Sequence, residues 1–321
     1  MPQMDEFEVL SFSRLNHVTM SVTQIGYRNP HIHQALEICL VLEGEADVWA
    51  RDHVFHTGEG AILLFSPGEP HEISSTDPQG VRIAYIQIAS HFCRDYIRPL
   101  RNLELRGNDA AEFLTDRQQR ALTEQILVTM RDYFTPDSAD RLQVLCDVCT
   151  LLHRLLTLVP YRYLNETAYQ AHGKKMARIQ RITEYMDTHC TERLTLEELA
   201  AQENITTTYL SHFIRDNLNM TFQQYLNNLR FEKARKLIET TDMCLSDVSL
   251  ASGFSDPKYM KRMFAERFGC TPGAHRQNAV QTLPLHAQNV PTQQAADAEA
   301  CLEHIDAFMR LHFPESEHQD S

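Results

Sequence analysis

The stretch from residue 194 to residue 276 decides the fold of the C-terminal half of this chain, and it reads LTLEELAAQENITTTYLSHFIRDNLNMTFQQYLNNLRFEKARKLIETTDMCLSDVSLASGFSDPKYMKRMFAERFGCTPGAHR. Thr195 followed by Glu198, and Thr221 followed by Gln224, match the capping box, in which each side chain accepts a hydrogen bond from the other residue's backbone amide. Each box stands immediately before a run of helix-forming residues. The segment is therefore predicted to be helical throughout.

The same helical unit occurs twice in this segment. Each unit has a short helix, a turn and a second helix, at residues 196–202 and 207–217 in the first unit and at residues 247–252 and 257–268 in the second. Thr206 and Asp256 precede the two second helices as N-caps. Two helices joined by a tight turn form a helix-turn-helix, whose second helix can enter the major groove of DNA. The sequence thus predicts two such units, joined by a long helix over 222–239.

Each second helix carries small, polar or basic side chains that could meet base edges or phosphates. The candidates are Thr207, Thr208, Ser211, His212 and Arg215 in the first unit, and Lys258, Lys261 and Arg262 in the second. Arg262 and Lys258 are favoured, because a guanidinium can pair with guanine through two hydrogen bonds whereas lysine acts as a point charge. The alternative is that both are solvated surface cations.

The net charge of the chain, −13, argues at first against a nucleic-acid partner. The charge is unevenly distributed, however. Residues 174–276 hold 15 Lys or Arg against 13 Asp or Glu, whereas residues 1–173 hold 14 against 23 and residues 277–321 hold 1 against 7. Any contact with DNA is therefore expected to come from the segment 174–276.

From about residue 17 to residue 90, short β-rich runs alternate with glycine turns, which predicts a small barrel or sandwich. Within this region, His31, His33 and Glu37 have the spacing H-x-H-x3-E on what reads as one strand. Since side chains on a strand alternate between its faces, the three would project to the same side. They could share a metal ion, bind an effector through hydrogen bonds, or form a structural cluster.

From about residue 116 the apolar period becomes helical, and Pro136 separates two helices. Their apolar surface, which includes Leu152 and Leu156, is wider than the surface needed to cover one face of a small barrel. We therefore consider both a subunit interface and a core within one chain.

A stretch of mixed polarity over 160–175 is predicted to be a linker. After Arg276, a flexible tether is predicted to lead to a short amphipathic helix.

The segment 194–276 resembles the AraC/XylS family of transcriptional regulators. The resemblance rests on the Y-L run ending at Leu210, on Y-L-x3-R-x3-A from Tyr225 to Ala234, and on the GFSD turn with F-x3-FG-x-TP ending at Pro272. Asn219 stands where this family usually has glycine. Asparagine tolerates the left-handed backbone that a glycine would adopt there, so the turn is expected to survive.

The N-terminal half resembles the cupin-type sensor domain that is commonly joined to this module. GAILLFSPGEPH, residues 60–71, matches the second cupin motif, with His71 in register and Ser66 in place of the usual proline. The resemblance implies that His71 joins His31, His33 and Glu37 in the mouth of the barrel. The four side chains would form an effector pocket together with Trp49, or would hold Fe, Mn or Zn. Trp49, Tyr27 and Tyr85 could stack on a sugar, or could instead belong to the core of the barrel.

The predicted fold class is α+β, with an N-terminal cupin-like β-barrel and helical dimerisation segment followed by an all-α domain containing the two helix-turn-helix units. The expected domains are a sensor and dimerisation domain over 1–170, a DNA-binding domain over 171–276, and a tail over 277–321. The resemblance implies a transcriptional regulator, not an enzyme, without an assigned cofactor. Its partners would be promoter DNA, a small-molecule effector and a second copy of the chain, and contact with RNA polymerase fits this role. The alternatives are a metal-dependent cupin enzyme fused to a DNA-binding module, and a helical domain that binds another protein.

The apolar runs of this chain are too short to span a bilayer, and MPQMDEFEVL lacks the basic region of a leader. The eight cysteines are scattered through apolar contexts, which suits reduced thiols better than a disulfide scaffold. Cys146 and Cys149 are expected to be small buried residues of an apolar helix. Together these features favour a cytoplasmic protein with no membrane partner.

Overall fold

The computed structural model describes residues 15, 17–51, 53–77, 80–135, 141–281 and 294–314. Its N-terminal half contains two antiparallel four-stranded sheets that pack face to face around a shared apolar interior. The first sheet has the order β1 (Val18–Ile25), β8 (Val81–Ala89), β3 (Ala35–Glu43) and β6 (Ile62–Phe65). The second has the order β2 (Tyr27–His31), β7 (His71–Ser75), β4 (Glu45–Ala50) and β5 (His53–Gly58). The predicted small β-barrel is confirmed.

Strand β3 is buried on both faces, which explains why its sequence is a continuous apolar run rather than an alternating one. Cys39 and Val41 face the interior between the two sheets. Ile38 and Leu40 face the opposite side, where helices cover the first sheet. Because Glu37 has the same parity along the strand as Cys39, its carboxylate also points into the barrel.

The outer face of the first sheet is covered by α1 (Asp116–Phe134), α2 (Arg141–Leu158) and the C-terminal helix α10 (Gln294–His312). Leu152 is buried in this core together with Ile305 and Phe308 of α10. For Leu152, the alternative of a subunit interface is therefore wrong, because its apolar partners belong to the same chain. Helix α10 is the amphipathic tail helix predicted from the sequence, and it covers part of the first sheet together with α1 and α2.

The segment expected to be a linker, 160–175, is instead regular structure. Strand β10 (Tyr161–Tyr163) pairs with β9 (Leu103–Leu105) at the edge of the barrel domain. Helix α3 (Glu166–His189) then begins, capped by the Asn165 side chain, which accepts a hydrogen bond from the backbone amide of Ala168. The weak periodicity of this stretch misled the sequence analysis, because the first turns of α3 are largely exposed.

The C-terminal domain is helical, as predicted. After α3 it contains α4 (Leu196–Gln202), α5 (Thr207–Leu218), α6 (Phe222–Thr240), α7 (Leu245–Ala251), α8 (Pro257–Phe268) and α9 (Pro272–Gln281). Both predicted capping boxes are present, and Thr206 and Asp256 cap α5 and α8. Helix α7 starts two residues earlier than predicted, because the Cys244 sulfur accepts a hydrogen bond from the Asp247 amide and so serves as its N-cap.

Helices α5 and α8 are repeats of one another and begin 50 residues apart. Both end in a left-handed residue, Asn219 with φ 51° and Gly269 with φ 62°. The expectation that asparagine can replace glycine at this turn is thus confirmed. Helix α6 connects the two units, since its Tyr225 is buried in the core of the first unit and its Phe231 in the core of the second. One continuous helix therefore fixes the two units relative to each other.

All eight cysteines are free thiols, in agreement with the sequence analysis. Cys146 and Cys149, however, are exposed on α2 rather than buried, because the buried side of that helix is formed by residues such as Val148 and Leu155. Across the described ranges, no helix combines the length and the apolar character needed to cross a membrane.

Replacing Leu152 by aspartate is expected to destabilise the folded chain rather than merely change its assembly. The substitution leaves a cavity and an unpaired charge in the core shared by α1, α2 and α10, and we expect it to lower the free energy of unfolding by about 4 kcal/mol or more. Urea unfolding followed by circular dichroism measures this change. Thr150→Asp, on the exposed side of the same helix, is the control. Equal stability of both variants would contradict the assignment of Leu152 to the core.

Candidate functional site

The residues proposed for DNA contact lie on matching faces of α5 and α8. Thr208, Ser211, His212 and Arg215 are exposed on α5, Thr207 is half-buried there, and Lys258, Lys261 and Arg262 are exposed on α8. Thr208, Ser211 and His212 occupy the same helical positions in α5 as the three cations occupy in α8. The two faces are therefore equivalent in geometry and different in charge, with the stronger positive charge in the second unit.

Arg262 is held only weakly by its neighbours. Its Nε lies 3.5 Å from a carboxylate oxygen of Glu266, and both side chains are 63% exposed. The guanidinium also lies 5.4 Å from the centroid of the Tyr259 ring. Exposed ion pairs of this kind contribute at most about 1 kcal/mol, so Arg262 can leave Glu266 for a phosphate or a base.

An aromatic residue that was not predicted from the sequence occupies the same position in both helices. Tyr209 is the third residue of α5 and Tyr259 the third residue of α8, and each ring is about half exposed. A tyrosine hydroxyl can donate to a phosphate oxygen, which makes the pair candidate contacts to the DNA backbone. The signal was available in the repeat, because the two tyrosines are separated by the same 50 residues as the helices themselves.

The structure brings together His31, His33, Glu37 and His71, as the sequence predicted, but by a different route. His31 ends β2, His33 lies in the connection that follows, and Glu37 lies on β3 of the other sheet. The assumption that the first three share one strand is therefore wrong. His71 begins β7 and is paired directly with His31. The cluster thus combines residues from both sheets of the barrel.

The polar atoms of this cluster are close together and inaccessible to solvent. His33 Nε2 lies 2.6 Å from Glu37 Oε2, and His71 Nε2 lies 3.6 Å from Glu37 Oε1. One ring nitrogen from each of the three histidines can be chosen so that all lie within 4.8 Å of one another. The four residues are between 0% and 7% exposed. Three imidazoles grouped in this way occur in many transition-metal sites, and the Glu37 carboxylate lies beside His33.

Backbone carbonyls fix the orientation of two of these imidazoles. His31 Nδ1 lies 3.0 Å from the carbonyl oxygen of Asn29, and His71 Nδ1 lies 3.0 Å from the carbonyl oxygen of Glu69. A carbonyl oxygen only accepts, so Nδ1 must carry the proton in both rings. Each Nε2 then presents a lone pair to the centre of the cluster, and neither Nε2 has a hydrogen-bond partner in the structure.

The charge state of the cluster follows from its burial. Burial lowers the pKa of His31 well below its usual value, and the nearby Arg28 adds to the effect. Burial alone would raise the pKa of Glu37, but the imidazoles of His33 and His71 outweigh it and hold that pKa well below the usual range. At neutral pH the cluster therefore contains a carboxylate anion and a neutral His31.

The aromatic residues proposed to stack on an effector do not gather around this cluster. Trp49 has the opposite parity on β4 to Val48 and Ala50, which face the barrel interior. Its cross-strand neighbour Glu72 lies on the same outer face. Tyr27 also faces outward, whereas Tyr85 packs with the interior residues. The three rings are thus divided between two faces of the barrel and cannot stack on one ligand.

The outer face of the second sheet contacts the helical domain. The Arg267 guanidinium lies 4.2 Å from the ring centroid of Tyr27 and 4.5 Å from that of Phe231. It also donates to Asn228 Oδ1 at 2.5 Å, and Asn228 Nδ2 donates to the Tyr27 hydroxyl at 3.3 Å. Arg267 therefore joins one strand of the barrel to α6 from within α8.

Ile32 forms an apolar contact between the same two domains. It stands between His31 and His33 and is 3% exposed. Its side chain belongs to the buried apolar cluster of the first helix-turn-helix unit, which also contains Met176 and Ile179 of α3. The segment that carries two of the clustered histidines therefore also reaches the core of the DNA-binding domain.

A cavity of about 340 Å³ lies between the barrel and the helical domain. Charged and amide side chains from both domains line it, including Arg51, Glu69, Glu104, Lys175, Asp216 and Asn217. The Glu69 carboxylate accepts hydrogen bonds from Arg51 Nε at 2.8 Å and from Asn108 Nδ2 at 2.7 Å. The backbone carbonyl of Glu69 is the one that orients His71, so this residue connects the cavity to the histidine cluster.

Known proteins resemble both halves of the chain. The family model of the AraC-like ligand binding domain matches residues 20–143, and that of a helix-turn-helix domain matches residues 199–278. A HTH-type transcriptional regulator of Staphylococcus aureus (strain MRSA252) is 24% identical over 241 residues, which are 75% of this chain and 31% of the relative. The HTH-type transcriptional regulator CdhR of Pseudomonas aeruginosa is 36% identical over 121 residues, which are 38% of this chain and 34% of CdhR.

The chain thus spans about a third of the length of these relatives. Among solved structures, wild-type ToxT from Vibrio cholerae strain SCE256, with an unsaturated fatty acid bound, is similar with a TM-score of 0.44 and 10% identity. That similarity covers 83% of this chain and 97% of ToxT. The two matching models, an AraC-like ligand binding domain on the barrel and a helix-turn-helix domain on the duplicated helical units, support the resemblance of the chain to the AraC/XylS family.

Proposed function

We propose that this protein binds promoter DNA through both helix-turn-helix units and regulates transcription in response to a small molecule. The observation that carries this proposal is the repetition of one exposed polar face, on α5 and again on α8, at equivalent positions of two units. A single face of this kind would fit many helical domains. Two such faces joined by one rigid helix fit two successive segments of the major groove.

One chain would read a bipartite DNA site. Helix α6 has 19 residues and so is about 28 Å long, close to the length of about 34 Å of one turn of B-DNA. The two recognition helices would then meet the duplex on one side. Arg262 would contact guanine or phosphate, and Ser211 with His212 would meet base edges in the other half of the site. Because the domain is only slightly basic, DNA affinity should fall with salt less steeply than for a strongly cationic protein.

We assign the effector to the cavity between the barrel and the helical domain. Its volume of about 340 Å³ lies within the range of small-molecule sites. Its lining contains both positively and negatively charged side chains, which suits a small polar metabolite such as a sugar. Burial lowers the pKa of Lys175, because its ammonium loses solvation there, and an anionic group on a ligand would offset that loss. A ligand here would touch both domains and could favour one arrangement of them over another, as an effector must.

The rival function is catalysis by a metal-dependent cupin enzyme. The burial of the histidine cluster favours sensing, because a substrate of metabolite size would have no direct access to His33, Glu37 or His71. Purified protein separates the two functions. Turnover of candidate substrates with added metal would support the enzyme, whereas specific retardation of the DNA upstream of its own coding sequence would support the regulator.

The regulator is further proposed to act in the cytoplasm as a homodimer, and to contact RNA polymerase at the promoter. The exposed side of α2 suits dimerisation, because Leu142 is 65% exposed and Cys146 and Cys149 extend the same stripe. The opposite side of α2 already packs within the chain. The dimer predicted from the sequence would therefore use the other face of the same helix.

Replacing Arg262 by alanine should weaken DNA binding without changing stability. If the guanidinium reads a guanine, the loss is about 1–3 kcal/mol, or about 5- to 150-fold in Kd, together with relaxed preference at one base pair. Gel retardation on the upstream DNA, with a competitor of unrelated sequence, measures both effects. Arg117→Ala, an exposed arginine on α1, is the control. Unchanged affinity and sequence preference in the Arg262 variant would show that Arg262 does not contact a base.

Replacing Leu142 by aspartate should separate the dimer into folded monomers, because a charge on the contact stripe opposes burial of that stripe. Sedimentation velocity over a range of protein concentrations measures the change. Val54→Asp, at an exposed apolar residue of β5 outside α2, should remain dimeric. A Leu142 variant that sediments as the wild type does would show that the dimer uses another surface.

A further inference from the structure

We propose that Lys174, Arg178 and Arg181 of α3 form a basic ridge that binds backbone phosphates of DNA beside the first helix-turn-helix unit. These three residues precede the segment 199–278 that matches the helix-turn-helix family model. The inference rests on the proposed function, because it concerns how the same DNA is held. It adds a contact that neither recognition helix supplies.

The need for such a contact follows from a difference in charge between the two units. The exposed face of α8 carries three cations, whereas the equivalent positions of α5 carry two hydroxyls and one imidazole. Arg215 is the only lysine or arginine in α5. B-DNA nevertheless presents the same charge to both helices, about one negative charge per 1.7 Å of its axis. Cations that neutralise phosphates beside the first unit are therefore expected outside α5.

The basic ridge lies along one side of α3. Its three residues are spaced by four and then by three positions, which places them on one face of a helix. Lys174 and Arg181 are exposed, and the Arg178 side chain is 31% exposed. On the opposite side of α3, Met176 and Ile179 are buried in the core of the first unit. The cations of the ridge therefore point away from that core.

Arg178 connects the basic ridge to α5. Its Nη1 lies 3.5 Å from the hydroxyl of Tyr209, and its guanidinium lies 5.8 Å from the ring centroids of both Tyr209 and Phe213. Tyr209 is about half exposed and is itself a candidate contact to the DNA backbone. A guanidinium and a neighbouring tyrosine hydroxyl can both donate to one phosphate group. The ridge thus extends the polar face of α5 on the side where Tyr209 lies.

A single carboxylate orients both arginines of the ridge. Arg181 donates to Glu203 from Nε at 2.8 Å and from Nη2 at 2.7 Å, and Arg178 donates to it from Nε at 3.3 Å. The hydrogen bond from Arg181 holds the pKa of Glu203 below its usual value, so the carboxylate is ionised at neutral pH. One negative charge therefore faces two guanidinium groups, and a net positive charge remains.

The contact with Glu203 leaves Arg181 able to bind a second anion. A guanidinium has five N–H groups in a planar fork, and the contact through Nε and Nη2 uses two of them. The Arg181 side chain is 54% exposed, so its other N–H groups can reach an acceptor outside the chain. Arg181 can therefore bind a phosphate oxygen without leaving Glu203.

The alternative is that the two arginines only hold α3 against the turn that follows α4, where Glu203 is the C-cap. The two roles predict different effects of Glu203→Gln. If the contact is structural, this change should disturb the first unit as much as loss of Arg181 does. If the arginines bind phosphates, the change removes a competing anion and keeps both cations. We therefore expect Glu203→Gln to bind DNA at least as tightly as the wild type.

The first test compares Arg181→Gln with the wild type in the full chain, by gel retardation on the upstream DNA and on DNA of unrelated sequence. We expect binding to weaken by about 10-fold on both, because a phosphate contact carries no sequence information. The slope of log affinity against log salt should fall by about 0.9 for the lost contact. Arg181→Lys, which keeps the charge, should retain most of the affinity. Arg117→Gln, an exposed arginine of α1, should bind as the wild type does.

The second test is phosphate ethylation interference with the wild type, which does not depend on any variant folding. Ethylation of phosphates that flank the segment read by α5 should weaken binding. Interference confined to the segment read by α8 would overturn the ridge.

The same holds if Arg181→Gln leaves affinity and salt slope unchanged, or if Glu203→Gln weakens binding as much as Arg181→Gln does. DNA binding that is insensitive to these changes rejects the ridge and leaves the proposed function standing. A chain that retards no DNA would reject the proposed function and the ridge together.

Discussion

The segment from Tyr27 to His33 contacts both the barrel interior and the helical domain, because its pairing with β7 is irregular. The register between β2 and β7 shifts between Arg28 and His31, so Tyr27 faces the helical domain whereas His31 faces the barrel interior. In a regular strand both residues would face the same side, because they are four positions apart. The cluster inside the barrel and the contact with Arg267 outside it both depend on this shift.

The same segment connects the barrel to the helical domain that carries α5 and α8. Ile32, Tyr27 and the loop Ser66–Pro70 contact the helical domain or line the cavity beside it. The cavity and the buried histidine cluster therefore lie beside one shared interface between the two domains. Since a ligand shifts a conformational equilibrium only by its differential affinity for the two states, contact with both domains is the property that an effector site needs.

The sequence predicted most reliably what depends on local chemistry. The capping boxes, the left-handed turn at Asn219 and the duplicated helix-turn-helix follow from short-range rules, and all are present. The four residues of the histidine cluster were also found, although the reasoning from a single strand was wrong. Partners distant in sequence were not predictable, because an apolar stripe such as the one through Leu152 does not reveal that a helix 150 residues later covers it. The outward direction of Trp49 likewise depends on pairing register rather than on composition.

Two recognition helices, fixed relative to each other by α6, are proposed to read two segments of one DNA site. Hydroxyl-radical footprinting of the full chain on its upstream DNA tests this directly. We expect two protected segments per chain on the same side of the duplex, with centres about 10 base pairs apart. A single protected segment, or two segments on opposite sides of the duplex, would contradict it.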